Sequence, residues 1–150
     1  MKNYRIGFSL KGFIGSLLVM LPNVIWAIMP PVNDVLAKNS VEIPALDLIM
    51  NFCRVALIAF LIVVVNNAEV EGKKVKGILF LAVCCLIAYY ASWVMFYAGV
   101  TNPWLFILGL AAAPSLYFIL LALWLQNNPA LVPGTVFAVL HITVTAKGFL

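Results

Sequence analysis

Residues 44–65 read PALDLIMNFCRVALIAFLIVVV. As a helix this stretch is long enough to cross the hydrocarbon core of a bilayer, which takes about 20 residues. Two charges interrupt it, Asp47 near the start and Arg54 at the middle. A guanidinium at the centre of a bilayer costs roughly 2.5 kcal/mol or more, so the surroundings of Arg54 must compensate for it. Steps of four and three residues put Asp47, Asn51 and Arg54 on one helical face, each step adding depth at about 1.5 Å per residue. Arg54 therefore points to where the protein works without naming the work.

The rest of the chain has the same character. Of its 150 residues 65% are hydrophobic and 9% are charged, with a mean hydropathy of +1.12. Soluble domains carry about 25% charged residues, so a water-soluble globule is excluded. The pattern predicts an all-α, polytopic membrane helical bundle forming one domain over residues 1–150. Five spans are expected, at about 12–29, 44–65, 77–98, 104–125 and 130–146. Pro30-Pro31 stops the first, and Pro44 suits the first turn of the second, with Asn39 or Ser40 upstream as caps. The basic leader of the first span resembles that of a signal peptide, but Met29-Pro30-Pro31 is no small-residue cleavage site, so an uncleaved anchor is expected.

The net charge of +4 comes from short clusters that flank apolar runs. These are the positions of topology signals and not a nucleic-acid surface. With five spans, Lys2, Arg5, Lys11, Lys73, Lys74 and Lys76 share one side of the membrane, and Lys38 and Lys147 share the other. An excess of basic residues marks the cytoplasmic side, which predicts a cell-membrane protein with its amino terminus in the cytoplasm and its carboxyl terminus outside.

On that orientation the polar intramembrane residues gather in the outer half. Asp47, Asn51 and Arg54 descend the second span, and Asn23 follows the chain break at Pro22 in the first. Proline leaves the carbonyl one turn earlier without its helical donor, and in lipid such a group must be satisfied by protein or water. Tyr89, Tyr90, Ser92 and Trp93 lie in the third span, Pro114 and Ser115 in the fourth, and His141, Thr143 and Thr145 in the fifth. Asn23, Asp47, Asn51, Arg54, Tyr90, Trp93 and His141 are the candidate ligand-binding residues of a pocket between spans one, two, three and five. Each has a plainer use as well. Tyr89, Tyr90, Trp93, Tyr97 and Trp104 fit an interfacial aromatic belt, and Asn23, Asn51 and His141 fit helix-to-helix hydrogen bonding.

Motifs for catalysis, metals and cofactors are not found. There is one histidine, and no P-loop, dinucleotide fingerprint or nucleophile elbow. A Ser92–His141–Asp47 arrangement has no support from spacing. Cys53, Cys84 and Cys85 lie in apolar runs without a C-x-x-C pair and read as small hydrophobes.

Leu21-Pro22-Asn23 with Met29-Pro30-Pro31, then Tyr89-Tyr90-Ala91-Ser92-Trp93, and Trp124-Leu125 leading to His141-Ile142 together resemble a family of small polytopic membrane proteins of Firmicutes. In that family an aromatic residue precedes the double proline, where this chain has Met29. The resemblance implies a five-helix plasma-membrane protein of a Gram-positive cell and carries no activity, ligand or catalytic residue. Function is left to two main alternatives. One is a binder or transporter of a small molecule or lipid, with Arg54 holding an anionic group. The other is an accessory subunit that packs against another membrane protein. An enzyme using His141 or Asp47 is the third. Five spans are few for a complete transporter, so transport would require a homo-oligomer or a partner.

Overall fold

The computed structural model describes residues 4–41, 43–66 and 73–150. Lys2 and the side chains of Lys73 and Lys74, three of the expected topology charges, lie outside the described residues. Among the described residues five helices are long and apolar enough to cross a membrane, which makes the chain a multi-pass membrane protein of the all-α class.

Helix α1 spans Leu10–Ile28 and starts two residues before the expected boundary, where the Ser9 hydroxyl caps the Gly12 amide. Its buried face is made of Gly12, Gly15, Ser16, Val19 and Pro22. Small residues at helical spacing let helix backbones approach closely inside a bilayer, where dispersion contacts stand in for the hydrophobic effect. Gly12 uses this to the limit, because a Cβ there would overlap the Leu61 carbonyl of the second span.

A short helix α2, Val35–Lys38, interrupts the first connection, capped by the Asp34 carboxylate on the Ala37 amide. Helix α3 covers Pro44–Val63. Its cap position is Ile43, not Asn39 or Ser40 as the sequence suggested; the Asp47 carboxylate reaches back to the Ile43 amide at 2.9 Å and fills that role. Asn39 instead ends α2, and the Ser40 hydroxyl bonds the Ala37 carbonyl.

The second span also ends earlier than expected. Val64–Asn66 leaves the helix to form strand β2, antiparallel to β1 (Tyr4–Ile6), with Tyr4 opposite Asn66. The β-branched run Val63-Val64-Val65 favours the extended form once the chain leaves the bilayer. Helix α4, Lys73–Tyr97, is the third span. It closes on Gly99, whose φ of +93° permits bonds from Gly99 to the Phe96 carbonyl and from Val100 to the Met95 carbonyl.

The fourth span is composite. Leu105–Ala112 is a π-helix, with the Ala113 amide bonded five residues back to Leu108, and helix α5, Ala113–Trp124, continues it. Pro114 thus lies at a change of helical pitch. Helix α6 covers Asn128–Phe149, longer at both ends than its apolar core predicts; Asn127 caps its start by accepting from the Ala130 amide.

In the bundle α3 packs on α6, α6 on the fourth span, and the fourth span on α4. Helix α1 completes the ring by lying against α3 and more lightly against α4 and α5. At one end, here the basic end, β1, β2 and the turn after α5 are joined. The Tyr4 hydroxyl and Asn66 Nδ2 both donate to the Gln126 carbonyl, and buried Asn127 donates through Nδ2 to the carbonyls of Phe60 (2.6 Å) and Val64 (2.9 Å). Lys11 lies over the Trp124 ring at this end.

Candidate functional site

Helices α1 and α3 touch at the basic end through Gly12 and Leu61. Towards the other end α1 turns to α4. There the Tyr97 hydroxyl donates to the Met29 carbonyl at 2.8 Å, and Trp26 stands 6.4 Å from Trp93, ring centre to ring centre. The space left between α1, α3 and α6 is an open cavity of about 400 Å³, in the size range of small-molecule sites.

Arg54, Asp47, Asn23, Trp93 and His141 line this cavity, five of the seven residues singled out in the sequence. Arg54 projects from the middle of α3 and donates from Nη2 to Asn51 Oδ1 at 2.8 Å. Among the described residues no carboxylate lies within the 4.0 Å of an ion pair with it. Asp47, the nearest acid along the helix, sits two turns away, about 10 Å along the axis, and is engaged by the Ile43 amide.

Asn23 donates from Nδ2 to the Tyr89 hydroxyl at 2.7 Å and to the Val19 carbonyl at 3.2 Å, leaving Oδ1 without a partner among the described residues. Trp93 is 6% exposed, and its indole N–H, although near the Tyr89 hydroxyl, makes no hydrogen bond of good geometry among the described residues. His141 stacks on Phe137 at 5.1 Å and 17°, with the Leu110 backbone carbonyl as a polar neighbour. Leu110 is the residue one turn before Pro114, so proline denies its carbonyl the usual α-helical donor.

Two candidates lie elsewhere. Asn51 is exposed and outside the cavity lining. Tyr90 is also outside it, and its hydroxyl donates to the Leu18 carbonyl at 2.7 Å. That carbonyl is the one Pro22 leaves unpartnered, so Tyr90 repairs the break in α1. Ser92 bonds the Ala88 carbonyl and is likewise absent from the lining, so Ser92, His141 and Asp47 do not share the cavity. The aromatic belt divides as well: Tyr89 and Trp93 are core residues, whereas Trp104 is 57% exposed.

Sequence reasoning missed Trp26, Met50, Leu110, Val144 and the 36–41 segment as lining residues. Helical spacing held a signal for some of them. Trp26 is three residues after Asn23, Met50 lies between Asp47 and Arg54 on the same face, and Val144 and Thr145 follow His141 by three and four. Leu110 held none, because it depends on the π-helical turns of the fourth span, which also makes that span a contributor to the pocket.

The site therefore combines one guanidinium, one carboxylate already engaged by a backbone amide, two indoles, an imidazole, two amides and two hydroxyls with an apolar remainder of Leu36, Val41, Met50, Leu110, Val144 and Phe149. A planar cation with donors to spare, set in an aromatic and aliphatic wall, is suited to an anionic group carried on an apolar body. Compared with protein-family models, with curated proteins and with solved structures, the chain finds no match in any of the three.

Proposed function

We propose that this protein binds a small anionic molecule or lipid in the Arg54 cavity, as a binding protein or as part of a transport assembly in a bacterial cell membrane. One observation carries the reading: a mid-span guanidinium lines an open cavity with no acid paired to it among the described residues. An arginine serving structure alone would be expected to meet a carboxylate, since an uncompensated charge in the bilayer is costly. A bound anion supplies that compensation.

The distribution of basic residues supports a cytoplasmic amino terminus, and with it a cavity in the outward-facing half. The hydrogen bonds that join β1, β2 and the turn after α5 at one end fit the alternation of five spans, in which these three segments share a side.

Native mass spectrometry of the protein purified from its own membranes tests the reading. The wild type is expected to retain an adduct that Arg54→Leu loses at an unchanged oligomeric state and melting temperature. An adduct held equally by Arg54→Leu, or bare wild-type protein, overturns it.

A further inference from the structure

We infer that the cavity opens sideways into the bilayer between α1 and α3, and that its ligand is a membrane lipid with an anionic headgroup seated on Arg54. This rests on the ligand-binding reading above and adds the ligand's class and its route of entry.

Three observations carry it. The end of the cavity nearest the first connection is roofed. Leu36, Asn39, Ser40 and Val41 line it from that side, Val35 and Leu36 pack on the core, and the Asn39 carbonyl is pressed against Gly148 so closely that a side chain there would collide with it. Trp26 fixes the start of this roof by donating from Nε1 to Asp34 Oδ2 at 3.0 Å.

The opening lies elsewhere. Arg54 lines the cavity, yet the residue it bonds, Asn51, is exposed on the surface of α3 outside the lining. The guanidinium therefore spans the border between the cavity and the lipid-facing surface. Both residues sit near the middle of a membrane-length helix, where the neighbouring medium is acyl chain and not water. Beyond the Gly12–Leu61 contact, Asn23 and Trp26 of α1 and Asp47, Met50 and Arg54 of α3 line the cavity, so the gap lies between these two helices.

The third observation is chemical. Across this border the polar donors lie inward, on Arg54, Trp93 and His141, while the outer faces of the flanking helices carry Leu21, Val24, Ile25, Phe52 and Val55, all exposed. A lipid fits that polarity with its phosphate or carboxylate drawn in to Arg54 and its chains left along the apolar faces. A free, fully hydrated anion would have to cross the roof or the acyl region.

The purified protein in detergent is titrated with dioleoyl phosphatidic acid, with dioleoyl phosphatidylcholine, and with glycerol 3-phosphate, the soluble headgroup of the first. Binding is read by native mass spectrometry. Phosphatidic acid is expected to bind at least tenfold more tightly than phosphatidylcholine, and glycerol 3-phosphate not detectably. Arg54→Gln should lose the preference, and Arg54→Lys should keep part of it, both at wild-type melting temperature; the wild-type comparison stands even if a variant fails to fold.

Glycerol 3-phosphate binding as tightly as the lipid, and dependent on Arg54, would overturn lateral lipid entry while leaving anion binding intact. Equal binding of the two lipids overturns the headgroup assignment. If the adduct carried from native membranes depends on Arg54 but none of the three probes binds, the lipid proposal fails and the binding reading survives. If no Arg54-dependent species exists at all, both fail.

Discussion

Gly12→Val is expected to be the most damaging single substitution in the bundle, costing about 3 kcal/mol or more through overpacking. The added carbons would meet the Leu61 backbone carbonyl, not the end of a flexible side chain, so local repacking cannot relieve them. α1 would have to move away from α3 at a place where their backbones meet closely. Gly77→Val is the control, since a side chain there meets nothing within 4 Å. Unfolding of the purified proteins in detergent measures the difference, and equal loss in both variants would mean that the Gly12–Leu61 contact contributes nothing particular. The effect also reaches the site. The Gly12 contact fixes where α1 begins to diverge from α3, so milder Gly12→Ala protein that still folds should bind less of the native adduct.

Asn127→Ala is expected to destabilise the protein by about 3 kcal/mol, the sum of a lost helix cap and two lost bonds to buried carbonyls. Asn127 is 1% exposed and joins three elements: it caps α6 through Oδ1 and, through Nδ2, serves the end of α3 at Phe60 and the start of β2 at Val64. Asn127→Asp separates the two roles. Aspartate keeps the cap but turns an anionic oxygen towards the Phe60 and Val64 carbonyls, so it should be no better than alanine. A wild-type unfolding transition for Asn127→Asp would show that the cap alone matters.

Much of this architecture was legible in the sequence, and the unreadable part has a definite physical character. The spans could be read because a bilayer imposes one length and one polarity on every crossing segment. Position along each helix could be read too, and Asn23, Asp47, Arg54, Trp93 and His141 do line one cavity. Rotation about each helix axis could not. Tyr89 and Tyr90 are adjacent and equally polar, yet one meets Asn23 and the other repairs α1, because the angle between successive residues sends them to different parts of the same neighbour. Asn51 shares a stripe with Arg54 but falls just past the edge of the cavity. The strand pair and α2 were hidden for another reason: they form outside the membrane-length runs, where the local signals were a valine triplet and a single capping aspartate. Asn127 drew no notice because its value comes from two carbonyls more than sixty positions earlier in the chain.

The bond between Tyr90 and the Leu18 carbonyl reaches beyond this one molecule. Its acceptor is left open only because residue 22 is proline, so the hydroxyl at 90 and the ring at 22 form one unit of inheritance. Tyr90→Phe should be harmful in the present chain and nearly neutral once Pro22→Ala has restored the helical donor, a coupling that a double-mutant cycle reads directly. Among relatives of this protein, the two positions should then change together, and a chain with another residue at 22 would be free to drop the tyrosine.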